Sequence, residues 1–308
     1  MSMLRSAFIA LSQNSALRRF SEDSTLGRKM SSRFVAGTEV GEVLDAAEHL
    51  NAHGVAATLD SLGENVNTPD EARRSADIYH HLLDAIRERK LNANVSVKLT
   101  QMGMDLDPAL AEGIVRDLTR HAGEVDSFLR VDMEGAAYTQ ATIDMVRRVH
   151  NEPGNRGRVG VVIQAYLYRS QADIQGLLQD GIRIRLCKGA YKEPPDLAFP
   201  EKADVDRNFV KLTEILVSSG VYHGIATHDE AMIEATKRFV RERGIAPAAF
   251  EFQMLYGVRR DLQKSLVDEG YNMRVYIPFG HEWYPYFMRR LAERPANVLF
   301  LAKNFLRS

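Results

Sequence analysis

The sequence predicts an α/β protein, a TIM-like (βα)8 barrel. From residue 34 onward, eight short apolar runs rich in β-branched residues alternate with segments of helix length. Unbroken alternation of this kind favours a parallel sheet, and eight units are the number that closes a barrel. A doubly wound sheet is the competing fold. Its usual phosphate-binding turns, GxGxxG and GxxxxGKS/T, do not occur in the sequence.

The eight strands are predicted at apolar runs that end at turn residues or charges. They are Val55–Asp60, Asn94–Lys98, Phe128–Met133, Val159–Ala165, Ile182–Lys188, Gly224–Thr227, Phe250–Leu255 and Met273–Ile277. A helix from Val40 to Ala52 precedes the first strand, and Gly54 terminates that helix.

The segments between the strands have the helical spacing of apolar residues. Predicted helices are Pro69–Arg89, Pro108–His121, Thr139–His150, Ser170–Gln179, Phe209–Ser218, Asp229–Arg243 and Gly257–Glu269, and a last helix begins near Trp283. No linker or low-complexity segment separates these elements. Residues 34–308 are therefore predicted to form one barrel domain.

Residues 1–33 are predicted to form an N-terminal helical segment. Residues 1–21 contain three arginines, several serines and no acidic residue, a composition typical of transit peptides, so a mitochondrial matrix location stays open. The alternatives are an amphipathic helix on a membrane surface and a helix packed on the barrel. We favour the packed helix.

The composition is that of a soluble globular protein. The 308 residues are 45% hydrophobic and 26% charged, with a net charge of −1, so nothing indicates a nucleic-acid partner. Cys187 is the single cysteine, which excludes an internal disulfide and suits the reducing cytoplasm. No apolar run approaches the ~20 residues that span a bilayer.

Polar side chains occur at nearly every predicted strand end. These residues are Asp60 with Glu64, Lys98, Asp132 and Glu134, Gln164, Arg185 and Lys188, Thr227 and His228, Gln253, and Tyr276. Active sites of (βα)8 barrels lie at the C-terminal ends of the strands. A set of this size at those ends predicts an enzyme active site.

The last predicted helix places Tyr286, Arg289, Arg290 and Glu293 on one face. Two adjacent guanidiniums suit a planar carboxylate, although a solvated basic patch is the ordinary alternative. We expect Lys98 to be a third cation for that anion, rather than a Schiff-base nucleophile or merely the partner of Asp132.

Counter-charges are expected for these cations. Glu64, Asp132 and Glu293 are the candidates, and a Glu64–Arg289 pair could open and close as a gate. The stretch 185-RLCKGAY-191, with Thr227 and His228, would suit a pyrophosphate. Metal ions fit poorly, because His228 has no second histidine or cysteine at metal-ligand spacing.

Seven stretches, in order, resemble the proline dehydrogenase family. They are VSVKLTQMG, RVDMEG, VVIQAY, RLCKGAYKE, ATHDE, FEFQMLYGV and YIPFG…YFMRRLAE. The match runs from about Phe34 to Asn304, and the chain is too short for the aldehyde dehydrogenase module of bifunctional relatives. The resemblance implies a distorted (βα)8 barrel whose last helix lies above the C-terminal ends of the strands.

The resemblance also implies an activity. The expected enzyme binds FAD non-covalently and oxidises L-proline to Δ1-pyrroline-5-carboxylate by hydride transfer from proline C5 to flavin N5. Electrons then pass to a membrane quinone, so the cytoplasmic enzyme is expected to be peripheral at the inner membrane face. The sequence makes no prediction of the oligomeric state.

The resemblance assigns roles to residues at matching positions. Substrate-binding residues are Lys98, Leu255, Tyr276, Arg289 and Arg290, the catalytic residues are Asp132 and Arg185, and Glu64 is the gate. Residues for FAD are Met133, Gln164, Arg185, Lys188, Gly189, Ala190, Thr227 and His228. Lys192 departs from the tryptophan of larger members, and the loop 280–282 is one residue shorter.

Two other functions remain open on the same scaffold. One is an aldolase-like lyase that uses Lys98 as a Schiff-base nucleophile without flavin. The other is a non-catalytic barrel that binds an amino acid. The sequence indicates no general base for the proline nitrogen.

Overall fold

The computed structural model describes residues 32–293, and the side chains of residues 32–288. Eight parallel strands pair in sequence order and close a barrel. They are β1 (Val55–Ser61), β2 (Ala93–Val97), β3 (Leu129–Val131), β4 (Val159–Gln164), β5 (Arg183–Cys187), β6 (Gly224–Ala226), β7 (Glu251–Leu255) and β8 (Asn272–Phe279). The predicted fold class is confirmed, with strand boundaries shifted by at most two residues.

Helices follow every strand, and one precedes the first. Those of the described range are α1 (Val40–Asn51), α2 (Pro69–Glu88), α3 (Pro108–Glu124), α4 (Thr139–Asn151), α5 (Ser170–Gln179), α6 (Lys202–Val217), α7 (Glu230–Glu242), α8 (Arg260–Asp268) and α9 (Trp283–Glu293). None of them is both long and apolar enough to cross a membrane.

Local sequence fixes where several helices begin. Thr68 caps α2 by accepting a hydrogen bond from the backbone N–H of Glu71, and Pro69 starts the helix. Asp229 caps α7, since its carboxylate accepts from the N–H of Ala231. The predicted start of α6 at Phe209 is wrong, because the helix begins at Lys202. Its first two turns are mostly polar and show no apolar period.

The barrel closes where β8 meets β1. These strands pair over seven positions, from Val55 beside Met273 to Ser61 beside Phe279, the most extensive pairing in the sheet. β8 also pairs with β7, which puts Tyr276 next to Leu255. The predicted substrate residues of β7 and β8 are therefore neighbours at one end of the barrel.

Helix α9 packs over the C-terminal mouth of the barrel. Its buried residues form a cluster: Trp283, Tyr284, Tyr286, Phe287 and Met288, together with Phe34 and Val35. Leu62 and Val258 pack against this cluster, and they lie just beyond the C-terminal ends of β1 and β7. The expectation that the last helix lies above the strand ends is confirmed.

The predicted N-terminal helical segment, residues 1–33, falls almost wholly outside the described residues and stays a prediction. The same holds for the side chains of Arg289, Arg290 and Glu293.

Candidate active site

Asp132 is the centre of a hydrogen-bond network at the mouth of the barrel. It follows β3, and its Oδ2 accepts a hydrogen bond of 2.7 Å from the Tyr276 hydroxyl of β8. Its Oδ1 accepts from Ser96 Oγ of β2 at 2.7 Å and from Arg185 Nη1 of β5 at 2.8 Å. Three other strands thus bring polar groups to one carboxylate at the end of β3.

The Arg185 guanidinium is held on several sides. Only 7% of its side chain is exposed. Besides Asp132, it donates from Nε to Gln253 Oε1 at 2.5 Å, and its Cζ lies 5.1 Å from the centroid of the Tyr276 ring. It also donates from Nη1 to Ser96 Oγ at 3.3 Å. Because three hydrogen-bond partners and an aromatic face fix the guanidinium plane, Arg185 is a cation of defined orientation.

The Tyr276 hydroxyl is a fixed proton donor. Burial raises the pKa of Tyr276 well above its usual value, and the Asp132 and Asp60 carboxylates raise it further. The phenol therefore stays protonated and keeps donating to Asp132 at any physiological pH.

Lys98 pairs directly with Asp60, not with Asp132. Its Nζ donates to Asp60 Oδ1 at 2.8 Å, and the two side chains are 14% and 1% exposed. Both oxygens of Asp132 already have other partners. Lys98 is therefore not the direct partner of Asp132, which was the ordinary alternative to its role as a cation for an anion.

The charge of Lys98 is set by its neighbours. Burial by itself lowers the pKa of Lys98, but the Asp60 carboxylate, with a further contribution from Asp132, more than offsets burial and holds that pKa above its ordinary value. Lys98 is therefore an ammonium at neutral pH. An ammonium suits an anion and lacks the lone pair that a Schiff-base nucleophile needs.

Gln164 presents a buried acceptor beside this network. The residue ends β4, and its Nε2 donates to the Met133 carbonyl at 3.2 Å. Its Oε1 is buried and has no hydrogen-bond partner. A buried amide oxygen without a partner is costly unless a ligand donates to it. This arrangement fits the predicted contact with an N–H of the flavin pyrimidine edge.

The loop after β5 allows a close approach of backbone groups. Gly189 has φ +112°, and a Cβ there would lie 2.4 Å from the Tyr166 ring, so only glycine fits. Gly189 and Ala190 are exposed. An exposed backbone in this conformation fits the predicted role in holding the dinucleotide.

Lys188, predicted to hold FAD, carries its own acidic partners. Its Nζ donates to Asp206 Oδ1 of α6 at 2.5 Å and to Asp229 Oδ2 at 2.8 Å. Lys202 also contacts Asp206. Sequence reasoning missed Asp206, which lies in the part of α6 that it did not predict. Two carboxylates fix the position of Lys188 and partly neutralise its charge.

Thr227 and His228 connect β6 to the start of α7. Thr227 Oγ1 accepts a hydrogen bond from the N–H of Asp229 at 3.1 Å, and His228 Nε2 accepts from the N–H of Leu255 at 2.9 Å. His228 thereby fixes the end of β7. Asp229, the next residue, is the N-cap of α7.

The remaining predicted residues lie around the same mouth. Met133 is buried beside Asp132, and Leu255 is partly buried at the end of β7. Glu64 lies in the loop between β1 and α2 and is partly buried. The Glu64–Arg289 gate and the carboxylate contacts of Arg289 and Arg290 involve side chains outside those described, and they stay predictions.

Cys187 and Glu134 complete the environment. Burial raises the pKa of Cys187 to about 12, so the thiol is not a nucleophile, as expected for a packing residue. Glu134 accepts hydrogen bonds from both the N–H and the hydroxyl of Thr100, at 3.1 and 2.6 Å. It thereby joins the ends of β2 and β3.

Among the described side chains, no group of three or more histidine, cysteine or acidic residues has the arrangement of a metal site.

Comparison with known proteins identifies the family. The sequence matches the family model described as Proline dehydrogenase over residues 43–303. The chain belongs to the proline dehydrogenase family. Proline dehydrogenase 1 of Bacillus subtilis (strain 168) is 41% identical over 306 residues, which are 99% of this chain and 100% of that protein. Proline dehydrogenase of Deinococcus radiodurans is 41% identical over 281 residues, 90% of each chain.

A solved structure shares the fold. The structure of proline utilization A from Bdellovibrio bacteriovorus, inactivated by N-propargylglycine, superposes with a TM-score of 0.83 at 24% identity. The match covers 94% of this chain and 36% of that one. The expected membership of an enzyme family of proline dehydrogenases, on a (βα)8 barrel, is confirmed.

Proposed function

We propose that this member of the proline dehydrogenase family binds FAD non-covalently and oxidises L-proline to Δ1-pyrroline-5-carboxylate. The observation that supports it best is the network of Tyr276, Asp132 and Arg185 at the mouth of the barrel. Bound FAD would supply the hydride acceptor, its N5 atom, for a hydride from proline C5.

The substrate carboxylate is held by cations. Lys98 is charged and anchored, and Arg289 and Arg290 are proposed to complete the set from α9. Pinning the carboxylate fixes the ring relative to the acceptor, and such fixing contributes a large share of the rate. Leu255 and Tyr276, neighbours on β7 and β8, shape the ring pocket, and Glu64 is the proposed gate partner of Arg289.

Arg185 provides a fixed positive charge. Its guanidinium is oriented by Asp132 and Gln253, so it needs no rearrangement when negative charge develops at the cofactor. Asp132 keeps both Arg185 and Tyr276 in place. We propose that these contacts make Asp132 and Arg185 the catalytic pair of the site.

The proline nitrogen must lose a proton before the hydride leaves. Lys98, Arg289 and Arg290 around the carboxylate would lower the pKa of that nitrogen, because a nearby cation disfavours an ammonium. Solvent then serves as the proton acceptor, and no side chain is assigned as general base.

The remaining residues would hold the cofactor. Gln164 offers its unpaired buried oxygen to the pyrimidine edge, and Met133 lies next to Asp132. Lys188, Gly189 and Ala190 from the loop after β5, with Thr227 and His228 after β6, would hold the rest of FAD.

The family resemblance supports a membrane quinone as electron acceptor. The cytoplasmic enzyme would then meet the inner membrane face peripherally. Proline-dependent reduction of a soluble quinone analogue, with co-sedimentation on lipid vesicles, tests both parts. No quinone reduction by an enzyme that proline reduces would refute the acceptor, and no co-sedimentation would refute the membrane contact.

The visible spectrum tests the central proposal. Purified protein, reconstituted with FAD, should show flavin absorbance that L-proline bleaches without oxygen. No flavin absorbance after reconstitution would refute the proposal, and trapping of a carbonyl substrate on Lys98 by borohydride would then favour the lyase. Flavin absorbance that proline leaves unchanged would instead indicate a non-catalytic amino-acid-binding barrel.

A further inference from the structure

Asp60 is a carboxylate at a fully buried position. It lies in β1, whose residues are all buried, and its own side chain is 1% exposed. Its Oδ1 accepts the 2.8 Å hydrogen bond from Lys98 Nζ. A buried carboxylate is strongly unfavourable unless it is paired, so the pair with Lys98 accounts for its presence.

We propose that Asp60 is a positioning residue for substrate binding, which fixes the Lys98 ammonium at the mouth of the barrel and keeps it charged. The inference rests on the proposed oxidation of proline, because Lys98 is the cation that would meet the proline carboxylate. Asp60 would act through Lys98 and would not touch the substrate.

The charges around Lys98 support this role. Asp60 of β1, Asp132 after β3 and Tyr79 of α2 all raise the pKa of Lys98, whereas burial lowers it. Asp60 makes the largest of these favourable contributions, and Asp132 divides its charge among other partners. Without Asp60, we expect the pKa of Lys98 to fall, because burial is then opposed by fewer negative charges.

The end of β1 is held independently of the Asp60 carboxylate. The N–H of Ser61 donates to the Tyr79 hydroxyl at 3.2 Å, and Gln101 Nε2 donates to the Ser61 carbonyl at 3.1 Å. Pairing with β8 continues through Ser61. The nearly isosteric change Asp60→Asn should therefore leave the strand in place and change mainly the charge beside Lys98.

Inhibition of proline oxidation by cyclopentanecarboxylate is the experiment. This compound keeps the ring and the carboxylate but has no amine, so it does not titrate between pH 6.5 and 9.5. Its inhibition constant should change little with pH in the unaltered enzyme. Asp60→Asn should bind it at least as tightly at low pH, because Lys98 loses its counter-charge, and about tenfold more weakly at high pH, as Lys98 deprotonates.

A merely structural role of Asp60 predicts a different pH dependence of inhibitor binding. Loss of pocket shape would weaken binding by a similar factor at every pH, and that result would overturn the proposal. Asp45→Asn is the control, since Asp45 is exposed and pairs with Arg89 on the surface. It should reproduce the unaltered profile.

A double-mutant cycle gives a second readout. If Asp60 acts through Lys98, adding Asp60→Asn to Lys98→Met should not weaken inhibitor binding further, and the double variant should give a flat pH profile. A further loss in the double variant would contradict the proposal.

The double-mutant cycle also tests the proposal if the Asp60→Asn variant does not fold. If Asp60→Asn alone does not fold, the double variant should fold, because it leaves no unpaired buried ammonium. Failure of both would assign Asp60 a structural role. If the unaltered protein does not oxidise proline, the proposed function fails separately.

Discussion

Replacing Asp132 by alanine should destabilise the protein by about 3–5 kcal/mol, the range for removing one partner of a buried ion pair. The change leaves Arg185, 7% exposed, without its carboxylate. Arg185 keeps bonds to Gln253 at 2.5 Å and to Ser96 at 3.3 Å, which favours the lower end of the range. Loss of an acceptor for the partly buried Tyr276 hydroxyl favours the upper end of the range.

Urea unfolding of matched variants measures this effect. Asp45→Ala is the control: Asp45 and Arg89 are 2.7 Å apart, but their side chains are 73% and 38% exposed, so the loss should be at most about 1 kcal/mol. The double variant Asp132→Ala/Arg185→Met should recover part of the loss, because no buried charge is left unpaired. The reasoning is refuted if Asp132→Ala costs no more than the surface control, or if the double variant is less stable than Asp132→Ala alone.

Three further predictions concern the site and its support. Gln164→Leu should weaken FAD binding about tenfold, measured by flavin fluorescence on titrating the apoprotein, because the buried acceptor is lost; unchanged affinity would exclude the contact. Tyr276→Phe should lower kcat/KM for proline at least about tenfold. A kcat/KM equal to that of the unaltered enzyme would show that the Tyr276 hydroxyl has no role in the reaction. Burial lowers the pKa of His223 to about 3, so as the pH falls His223 is protonated in the unfolded chain before it is protonated in the folded protein. The free energy of unfolding should therefore fall between about pH 6.5 and 3, by up to about 1.4 kcal/mol per pH unit. In urea unfolding, His223→Gln should reduce this pH dependence by the equivalent of about one proton, and an unchanged pH dependence would contradict the prediction.

The fold could be predicted because alternation is visible over the whole barrel. Each apolar run is short and followed by a helix-length segment, and eight such units leave few alternative architectures. Helix boundaries were less certain. The first two turns of α6 lack an apolar stripe, so the sequence gives no periodic signal there, and Asp206 in those turns was missed as a partner of Lys188.

The site could be predicted in its members but not in its pairings. The strand-end rule brought Lys98, Asp132, Arg185 and Tyr276 into one list. It could not decide which carboxylate meets Lys98, because that depends on the register of adjacent strands and on side-chain direction. Asp60 was visible as a strand-end acid, yet only the packed barrel shows that it, and not Asp132, is the direct partner.

The two acid–cation pairs at the mouth of the barrel, Asp132–Arg185 and Asp60–Lys98, therefore have different roles. Asp132 shares its oxygens among Arg185, Ser96 and Tyr276, so it orients groups from three strands at once. Asp60 has one described cationic partner, Lys98, and it also raises the pKa of the Tyr276 phenol. Neutralising Asp132 should disturb geometry and stability at every pH, whereas neutralising Asp60 should change how carboxylate binding depends on pH. The same substitution, Asp to Asn, thus separates an orienting carboxylate from one that maintains a charge.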